Sequence, residues 1–269
     1  MSPEILFWLA LATKMAAAAL FVLGATIAAE RAGPLIGSLI ATLPLSAGPS
    51  YVFLALDHEA EFISASALAS IAINAATGVY ATVYARLAQR HSLLVCMVTG
   101  FGAYLLIAWL VLLRDWTLVQ AIALNVVVFP VCIWLVRDLR HAPMPQVAIR
   151  WQDLALRAVG VAVLVASVIT LSFHIGPNAT GFLAAFPLIY SSIMVILYRR
   201  VGGRAAAAVM AHGMPGLVGF GCALVTLHLA AVPFGRAAAL LLALVVTIVW
   251  NLMLFAINRY NRGADARPA

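Results

Sequence analysis

Charged residues are scarce in this chain. Of its 269 residues, 9% are Asp, Glu, Lys or Arg, against roughly 25% in an average soluble domain. Lys14 is the single lysine, and every Asp and Glu lies in a loop or near the end of an apolar stretch. Hydrophobic residues make up 65% of the chain instead. This composition excludes an ordinary soluble domain and predicts an integral membrane protein.

Motifs for the common enzyme chemistries are also absent from the sequence. It has no HExxH, no Gly-x-Ser-x-Gly, no nucleotide-binding loop and no paired carboxylates placed for acid/base catalysis. The three cysteines, Cys96, Cys132 and Cys222, lie in apolar segments without the paired spacing of disulfide frameworks or metal sites. We therefore expect no enzymatic activity, no cofactor and no bound metal.

Long apolar runs are what the chain has in abundance. A span needs about 20 residues to cross a hydrocarbon core of ~30 Å, and we count nine such runs, at 5–29, 34–56, 62–85, 92–113, 117–136, 154–173, 177–198, 205–229 and 237–257. The first run lacks the basic start and cleavage site of a signal peptide, so we expect it to be retained. The sequence predicts one all-α membrane domain over 1–269, with about nine transmembrane helices.

The arginines are distributed unevenly over the loops between these spans. With nine spans, thirteen arginines fall on one side and two, Arg114 and Arg236, on the other. The thirteen are Arg31, Arg86, Arg90, Arg137, Arg140, Arg150, Arg157, Arg199, Arg200, Arg204, Arg259, Arg262 and Arg267. Because basic loops stay in the cytoplasm, we expect an outside N-terminus, a cytoplasmic C-terminus and a location in the bacterial inner membrane. This rule, with anionic lipid headgroups, accounts for the basic residues without a nucleic-acid partner.

The chain repeats itself at an offset of 143 residues. This offset places the stretch GPLIGSLIATLPL (33–45) on GPNATGFLAAFPL (176–188), matching the Gly-Pro pair and the second proline. The first repeat then covers 5–113 and the second 154–257, with the helix at 117–136 between them. Because that single helix reverses the second copy, the repeats are inverted. Inverted repeats are typical of secondary transporters.

Helix-breaking residues lie near the middle of the third and eighth spans. The third contains NAATG (74–78), with Asn74 and Thr77, and the eighth contains HGMPG (212–216). Weakened helices at matching positions of two repeats point to a transporter's binding site. We therefore expect binding residues at Asn74, Thr77, His212, Gly213, Pro215 and Gly216, with His212 as a proton carrier. The alternative is that the glycines serve close packing and that Asn74 and His212 make structural hydrogen bonds.

Lys14 and two mid-span prolines complete the candidate residues. Lys14 lies roughly 13 Å into the first span at 1.5 Å per residue, where it either snorkels to the interface or binds an anion. Pro44 and Pro187 are expected to bend their spans. Ser191 and Ser192 follow Pro187 and either line a path or satisfy freed backbone groups.

The arrangement of four spans, one span and four spans resembles the bile acid/sodium symporter fold. The resemblance implies crossing, broken helices at 74–78 and 212–216. It also implies a core of spans two to four and seven to nine, which moves against a panel of spans one, five and six that carries Lys14. The sodium ligands of that family have no evident counterpart here beyond Asn74. On this resemblance, transport is either coupled to protons through His212 or not coupled to an ion.

These observations favour a secondary transporter that moves a small organic solute, anionic or amphipathic, by alternating access. A homo-oligomer is compatible with the sequence. One alternative is an intramembrane enzyme acting on a lipid-linked substrate, for which the loop LDHEAE (55–60), reaching Glu61, is the candidate site. Another is a membrane scaffold or assembly protein, in which the prolines and glycines only pack helices.

Overall fold

The protein is an all-helical bundle. The computed structural model describes residues 2–31, 46–141 and 150–265, and these contain no strand. The helices are α1 (Pro3–Arg31), α2 (Ala47–Asp57), α3 (Ala60–Leu87), α4 (Leu93–Leu112), α5 (Leu118–Leu135), a 3-10 turn (Arg137–His141), α6 (Trp151–Ala184), α7 (Leu188–Phe234) and α8 (Arg236–Asp265). Pro44 and the first copy of the repeated stretch, 33–45, lie outside the described residues.

Six helical stretches among the described residues are long and apolar enough to cross a membrane. Many large apolar side chains on α1, α4, α5 and α8 are exposed, including Trp8, Leu106, Val127 and Leu241. Such side chains are stable on an outer surface that faces hydrocarbon rather than water. The prediction of an all-α membrane protein with transmembrane helices is confirmed.

The long stretch from Trp151 to Phe234 is interrupted at three points. Gly176 (φ 73°) and Gly202 (φ 83°) adopt backbone conformations that favour glycine, and each bends the chain sharply. Between them, α6 ends at Ala184 and α7 begins at Leu188. The predicted span 177–198 is therefore two short helices, 177–184 and 188–201, which we call the broken helix.

α3 is the central helix of the bundle. In its most apolar window 72% of the residues are buried, and its buried face consists largely of Ala, Ser, Gly and Thr. Small side chains allow neighbouring backbones to approach closely in a membrane bundle. α3 packs against α4, α5, the second part of α7 and the broken helix.

α1 and α6 form a pair with its own apolar cluster. Leu11, Ala18 and Val22 of α1 are buried against Val161, Val165 and Ile169 of α6. α5 does not belong to this pair: Asn125 of α5 donates to the carbonyl of Ile71 on α3, at 2.7 Å. The expected panel of spans one, five and six is therefore wrong for span five. The sequence could not show this, because the stretch 117–136 has no counterpart at the 143-residue offset with which to compare it.

The helices of the two halves of the chain begin at matching positions. α3 begins at Ala60, and the straight part of α7 follows the bend at Gly202. α4 begins at Leu93 and α8 at Arg236, 143 residues later. The residues just before these starts, Glu59 and Gly202, have similar extended ψ angles of 169° and 166°.

Candidate functional site

The break between α6 and α7 places irregular backbone inside the bundle. Pro187 has no backbone N–H and lies just before the first residue of α7, so it marks a helix start. The N–H of Phe186 donates to the Leu183 carbonyl (3.1 Å) and that of Leu188 to the Phe186 carbonyl (2.8 Å). Irregular backbone at membrane depth must be packed or must line a cavity. The break is therefore a place where backbone groups can meet a ligand.

Buried polar side chains of α3 face the broken helix. Three of them donate hydrogen bonds to it: Ser70 Oγ to the Gly181 carbonyl (2.7 Å), Tyr80 Oη to Ser191 Oγ (2.8 Å) and Tyr84 Oη to the Met194 carbonyl (2.9 Å). Ser191 Oγ also contacts the carbonyl of Pro187 at 2.6 Å. The polar face of α3 thus stabilises both halves of the broken helix.

A cluster of aromatic rings surrounds the break. The ring of Tyr104 lies 5.9 Å from that of Phe182 and 5.7 Å from that of Phe186, and Phe101 stacks on Phe186. Tyr104 is fully buried, yet its hydroxyl has no hydrogen-bond partner among the described residues, and the same holds for Ser66 Oγ. Because a buried hydroxyl without a partner is unfavourable, both are candidate contacts for a ligand.

A small surface pocket lies beside the first half of the broken helix. It is lined by Leu68, Ala69, Val111, Leu112, Arg114, Asp115, Trp116 and Asn178. Ala69 also approaches Gly181, so the pocket borders the helix that leads to the break.

Asn74 lies where α3, α5 and α7 meet. Its Nδ2 donates to Asn125 Oδ1 (3.2 Å) and to the Leu217 carbonyl (2.9 Å), while its Oδ1 has no partner among the described residues. Gly221 leaves room for this amide, since a Cβ there would lie 3.1 Å from Asn74 Nδ2. Thr77, one turn along, is buried as well. α3 is continuous through 74–78, so the expected unwinding of the third span is wrong.

The HGMPG stretch is also helical, and neighbouring side chains explain why. Pro215 cannot donate to the carbonyl of Ala211, which is left free. Arg140 Nε donates to that carbonyl at 3.1 Å, and Trp250 Nε1 donates to the Pro215 carbonyl at 2.9 Å. Because these side chains satisfy the backbone, the expected unwinding of the eighth span is wrong too.

The remaining candidates are His212, Gly213 and Gly216 of the eighth span and Ser192 of the broken helix. His212 is exposed, and its Nδ1 lies 2.9 Å from the Ala208 carbonyl in its own helix. A Cβ at Gly213 would lie 2.9 Å from the hydroxyl of Tyr190, which makes Gly213 a packing position, and Gly216 is half-buried. Ser192 Oγ donates to the Ile189 carbonyl within α7. His212 is thus not enclosed as a proton carrier inside the bundle would be.

Lys14 forms an ion pair that the sequence did not predict. Its Nζ lies 2.5 Å and 2.6 Å from the two carboxylate oxygens of Asp57, and both side chains are less than one fifth exposed. The sequence predicts Asp57 within the loop LDHEAE (55–60), but Asp57 is the last residue of the short helix α2. A lone charge in a span costs ~2.5–3.5 kcal/mol or more on insertion scales, so the pairing explains how Lys14 is tolerated.

A second ion cluster joins α6 to α7. Arg200 forms a short ion pair with Asp153, whose side chain also accepts from the N–H of Arg150 at 3.0 Å. Arg157 lies one turn after Asp153, and its Nε has no partner among the described residues. Arg157 and Arg200 are 143 residues after Lys14 and Asp57, the same offset at which the Gly-Pro stretches of the sequence match.

The stretch 55–61, expected to be a loop, is the junction of α2 and α3, with only residues 58 and 59 outside the helices, and it contacts other helices. His58 Nε2 lies 2.7 Å from Ser172 Oγ, its ring stacks on Phe62 at 3.9 Å, and its carbonyl accepts from Arg236 at 2.5 Å. Burial lowers the pKa of His58, against the opposing effect of Asp57. Ser172 Oγ also donates to the Ile169 carbonyl and is 2% exposed. His58 is half-buried and Ser172 is buried, so this contact joins the connection between α2 and α3 to α6.

The candidate residues therefore fall into separate places. Pro187 and Ser191 lie at the break, Asn74 and Thr77 at the crossing with α5 and α7, and Lys14 in an ion pair with α2. Sequence reasoning missed Tyr80 and Tyr104. The polar spacing along α3 could have indicated Tyr80, whereas Tyr104 lies on α4, whose sequence carries no such spacing. No family model, curated protein or solved structure matches this chain.

Proposed function

We propose that the protein is a secondary transporter that moves a small organic solute, anionic or amphipathic, by alternating access. The observation that carries the proposal is the broken helix, which lies against the polar face of α3 and the aromatic cluster. Discontinuous helices of this kind form the solute sites of many transporters. The solute site is the space that opens at Ala185–Pro187 when the α1–α6 pair moves relative to the broken helix and α3.

Contacts between equivalent positions support the inverted repeat on which this mechanism depends. Residues close to a two-fold axis meet their own equivalents in the other repeat. Asn74 donates to the carbonyl of Leu217, 143 residues later. Ala18 and Val22 pack in one cluster with their equivalents, Val161 and Val165. Both contacts favour two copies related by a pseudo-two-fold axis, with four spans on either side of α5.

The chemistry around the break supports the solute class. The rings of Tyr104, Phe182 and Phe186 suit the apolar part of a solute, and the free hydroxyls of Tyr104 and Ser66 can donate to its carboxylate. The two least exposed carboxylates described, Asp57 and Asp153, are both ion-paired. The bundle thus presents donors to a solute rather than free negative charge, which favours an anion.

The arginine distribution supports the orientation that we propose. It assigns the N-terminus to the outside and the C-terminus to the cytoplasm of a bacterial inner membrane. In this orientation Asp57 lies towards the outside and Arg200 towards the cytoplasm. Membrane lipids surround the exposed apolar faces of α1, α4, α5 and α8.

Uptake into proteoliposomes tests the proposal. The purified chain is reconstituted and given radiolabelled probes of four classes: a short monocarboxylate, a dicarboxylate, an aromatic carboxylate and a steroid carboxylate. We expect saturable uptake of at least one carboxylate class and none of a quaternary ammonium probe. The Tyr104→Phe variant, which removes only the free hydroxyl, should raise KM about tenfold, the effect of losing a hydrogen bond to a charged group.

Tyr84→Phe is the matched control, because the Tyr84 hydroxyl already donates to the Met194 carbonyl. It should lower thermal stability and leave KM unchanged. Absence of saturable uptake for all four classes would contradict the transport proposal. An equal change of KM in the two variants would contradict the assignment of the solute site.

A further inference from the structure

We infer that the pairs Lys14–Asp57 and Asp153–Arg200 are the two gates of the transport cycle, one at each end of the bundle. This inference rests on the proposed alternating access and names the residues that control it. Lys14–Asp57 is the outer gate and Asp153–Arg200 the cytoplasmic gate. With both pairs formed, the structure corresponds to an occluded state.

Each pair connects the same two kinds of element. Lys14 on α1 binds Asp57 at the end of α2. Asp153 on α6 binds Arg200 near the end of half-helix 188–201. α1 and α6 are the two members of the separate helix pair, whereas α2 and half-helix 188–201 are the short helices that pack beside it. Each ion pair therefore links the α1–α6 pair to a short helix that packs beside it.

The two clusters lie at opposite ends of the bundle. Asp57 is followed by His58, which contacts Ser172 near the end of the straight part of α6. Asp153 lies 19 residues earlier on the same helix, which is about 28 Å at 1.5 Å per residue. That separation is close to the ~30 Å thickness of a hydrocarbon core. Ion pairs at the two faces can break one at a time.

The packing allows such a movement. The cluster between α1 and α6 is distinct from the main core around α3, which α6 joins through Leu164 and Val168, and Leu188 contacts both clusters. The α1–α6 pair can therefore tilt as a unit about the region of Leu188. Breaking a partly buried ion pair is unfavourable unless other contacts replace it, so the intact pair at each end opposes opening at that end.

Cysteine accessibility tests the two gates. Phe53 on α2 and Ile196 on α7 are equivalent positions beside the two ion pairs, and both are mostly enclosed. Phe53→Cys or Ile196→Cys is introduced into full-length protein whose Cys96, Cys132 and Cys222 are replaced by alanine. The rate of labelling by a membrane-impermeant maleimide is measured in proteoliposomes, from the side that each reporter faces.

We expect opposite effects from the two gate variants. Lys14→Gln should raise the labelling rate at Phe53→Cys and lower that at Ile196→Cys, each about tenfold, within the range of typical coupling between sites. Asp153→Asn should do the reverse. Asp138→Asn is the matched control: it breaks the exposed Arg86–Asp138 ion pair, which does not involve α1 or α6, and should change neither rate.

The double variant Lys14→Asp with Asp57→Lys, which restores the pair with swapped charges, should return both rates towards those of the parent. If one variant labels faster at both reporters, the protein has loosened generally and the inference is overturned. The inference is also overturned if neither gate variant changes either labelling rate. Opposite shifts without uptake of any carboxylate would leave the gates standing and contradict the proposed solute. Uptake of a carboxylate without opposite shifts would support the proposed solute and overturn the assignment of the two gates.

Discussion

Gly181 has no side chain, so the backbone of the broken helix packs directly against the backbone of α3 at this position. A Cβ built at this position would lie 2.1 Å from the carbonyl oxygen of Ser66 and 2.9 Å from the Cβ of Ala69. The neighbouring Ser70 hydroxyl donates to the carbonyl of the same glycine. Close packing and a hydrogen bond thus hold the first half of the broken helix against α3.

Gly181→Ala should therefore destabilise the protein. The added methyl group cannot fit without moving a backbone, and overpacking of this kind costs about 1–3 kcal/mol. Thermal unfolding in detergent should show a clearly lower midpoint. Gly102→Ala is the control, because a Cβ at Gly102 meets no atom within 4 Å. Equal midpoints for the two variants would contradict the close contact.

Lys14 shows what could and could not be predicted for single residues. Its burial cost was evident from the sequence, and pairing was one of the ways to meet it. The partner could not be identified, because the sequence places Asp57 at the end of a long apolar run. Only the structure shows that α2 is 11 residues long and brings Asp57 to the depth of Lys14.

A proline in the middle of α7 leaves the helix unbroken, because a neighbouring element satisfies the freed carbonyl. Arg140, in the 3-10 turn after α5, donates to the carbonyl of Ala211, which the missing N–H of Pro215 leaves open. The turn between α5 and α6 is thereby attached to α7.

A double-mutant cycle tests this attachment. Arg140→Ala alone should destabilise the protein by about 1–3 kcal/mol, the cost of a buried carbonyl without a donor. In a Pro215→Ala background the backbone N–H of residue 215 becomes the donor, so the same change should cost clearly less. Chemical unfolding of the four proteins gives the interaction energy. Equal costs in both backgrounds would contradict the role of Arg140.

Helix bounds could be predicted well from the sequence, whereas the place of the break could not. Apolar runs gave α3, α4 and α5 to within two residues at each end. Proline and glycine content pointed to 212–216, but Arg140 and Trp250 satisfy the backbone there. The break falls at Pro187 instead, in a predicted span that had no comparable concentration of glycines. Backbone breaks depend on which side chains from other helices are near, and this is tertiary information.

The described helices form a central assembly around α3 and a pair, α1 and α6, that has an apolar cluster of its own. The broken helix and α2 lie between them, and an ion pair fastens each end. In this account, transport is a rocking of the α1–α6 pair that opens one end while the other stays closed. Alternating access of this kind requires distances at the two ends to change in opposite directions.

Pulsed electron paramagnetic resonance on spin-labelled protein in lipid measures those two distances directly. One label pair replaces the exposed residues Leu6 and Glu61 at the outer end, and another replaces Ile27 and Arg90 at the cytoplasmic end. The account predicts that Lys14→Gln lengthens the outer distance and shortens the cytoplasmic one, and that Asp153→Asn does the opposite. If the outer and the cytoplasmic distance are each the same in the parent and in both variants, alternating access is contradicted.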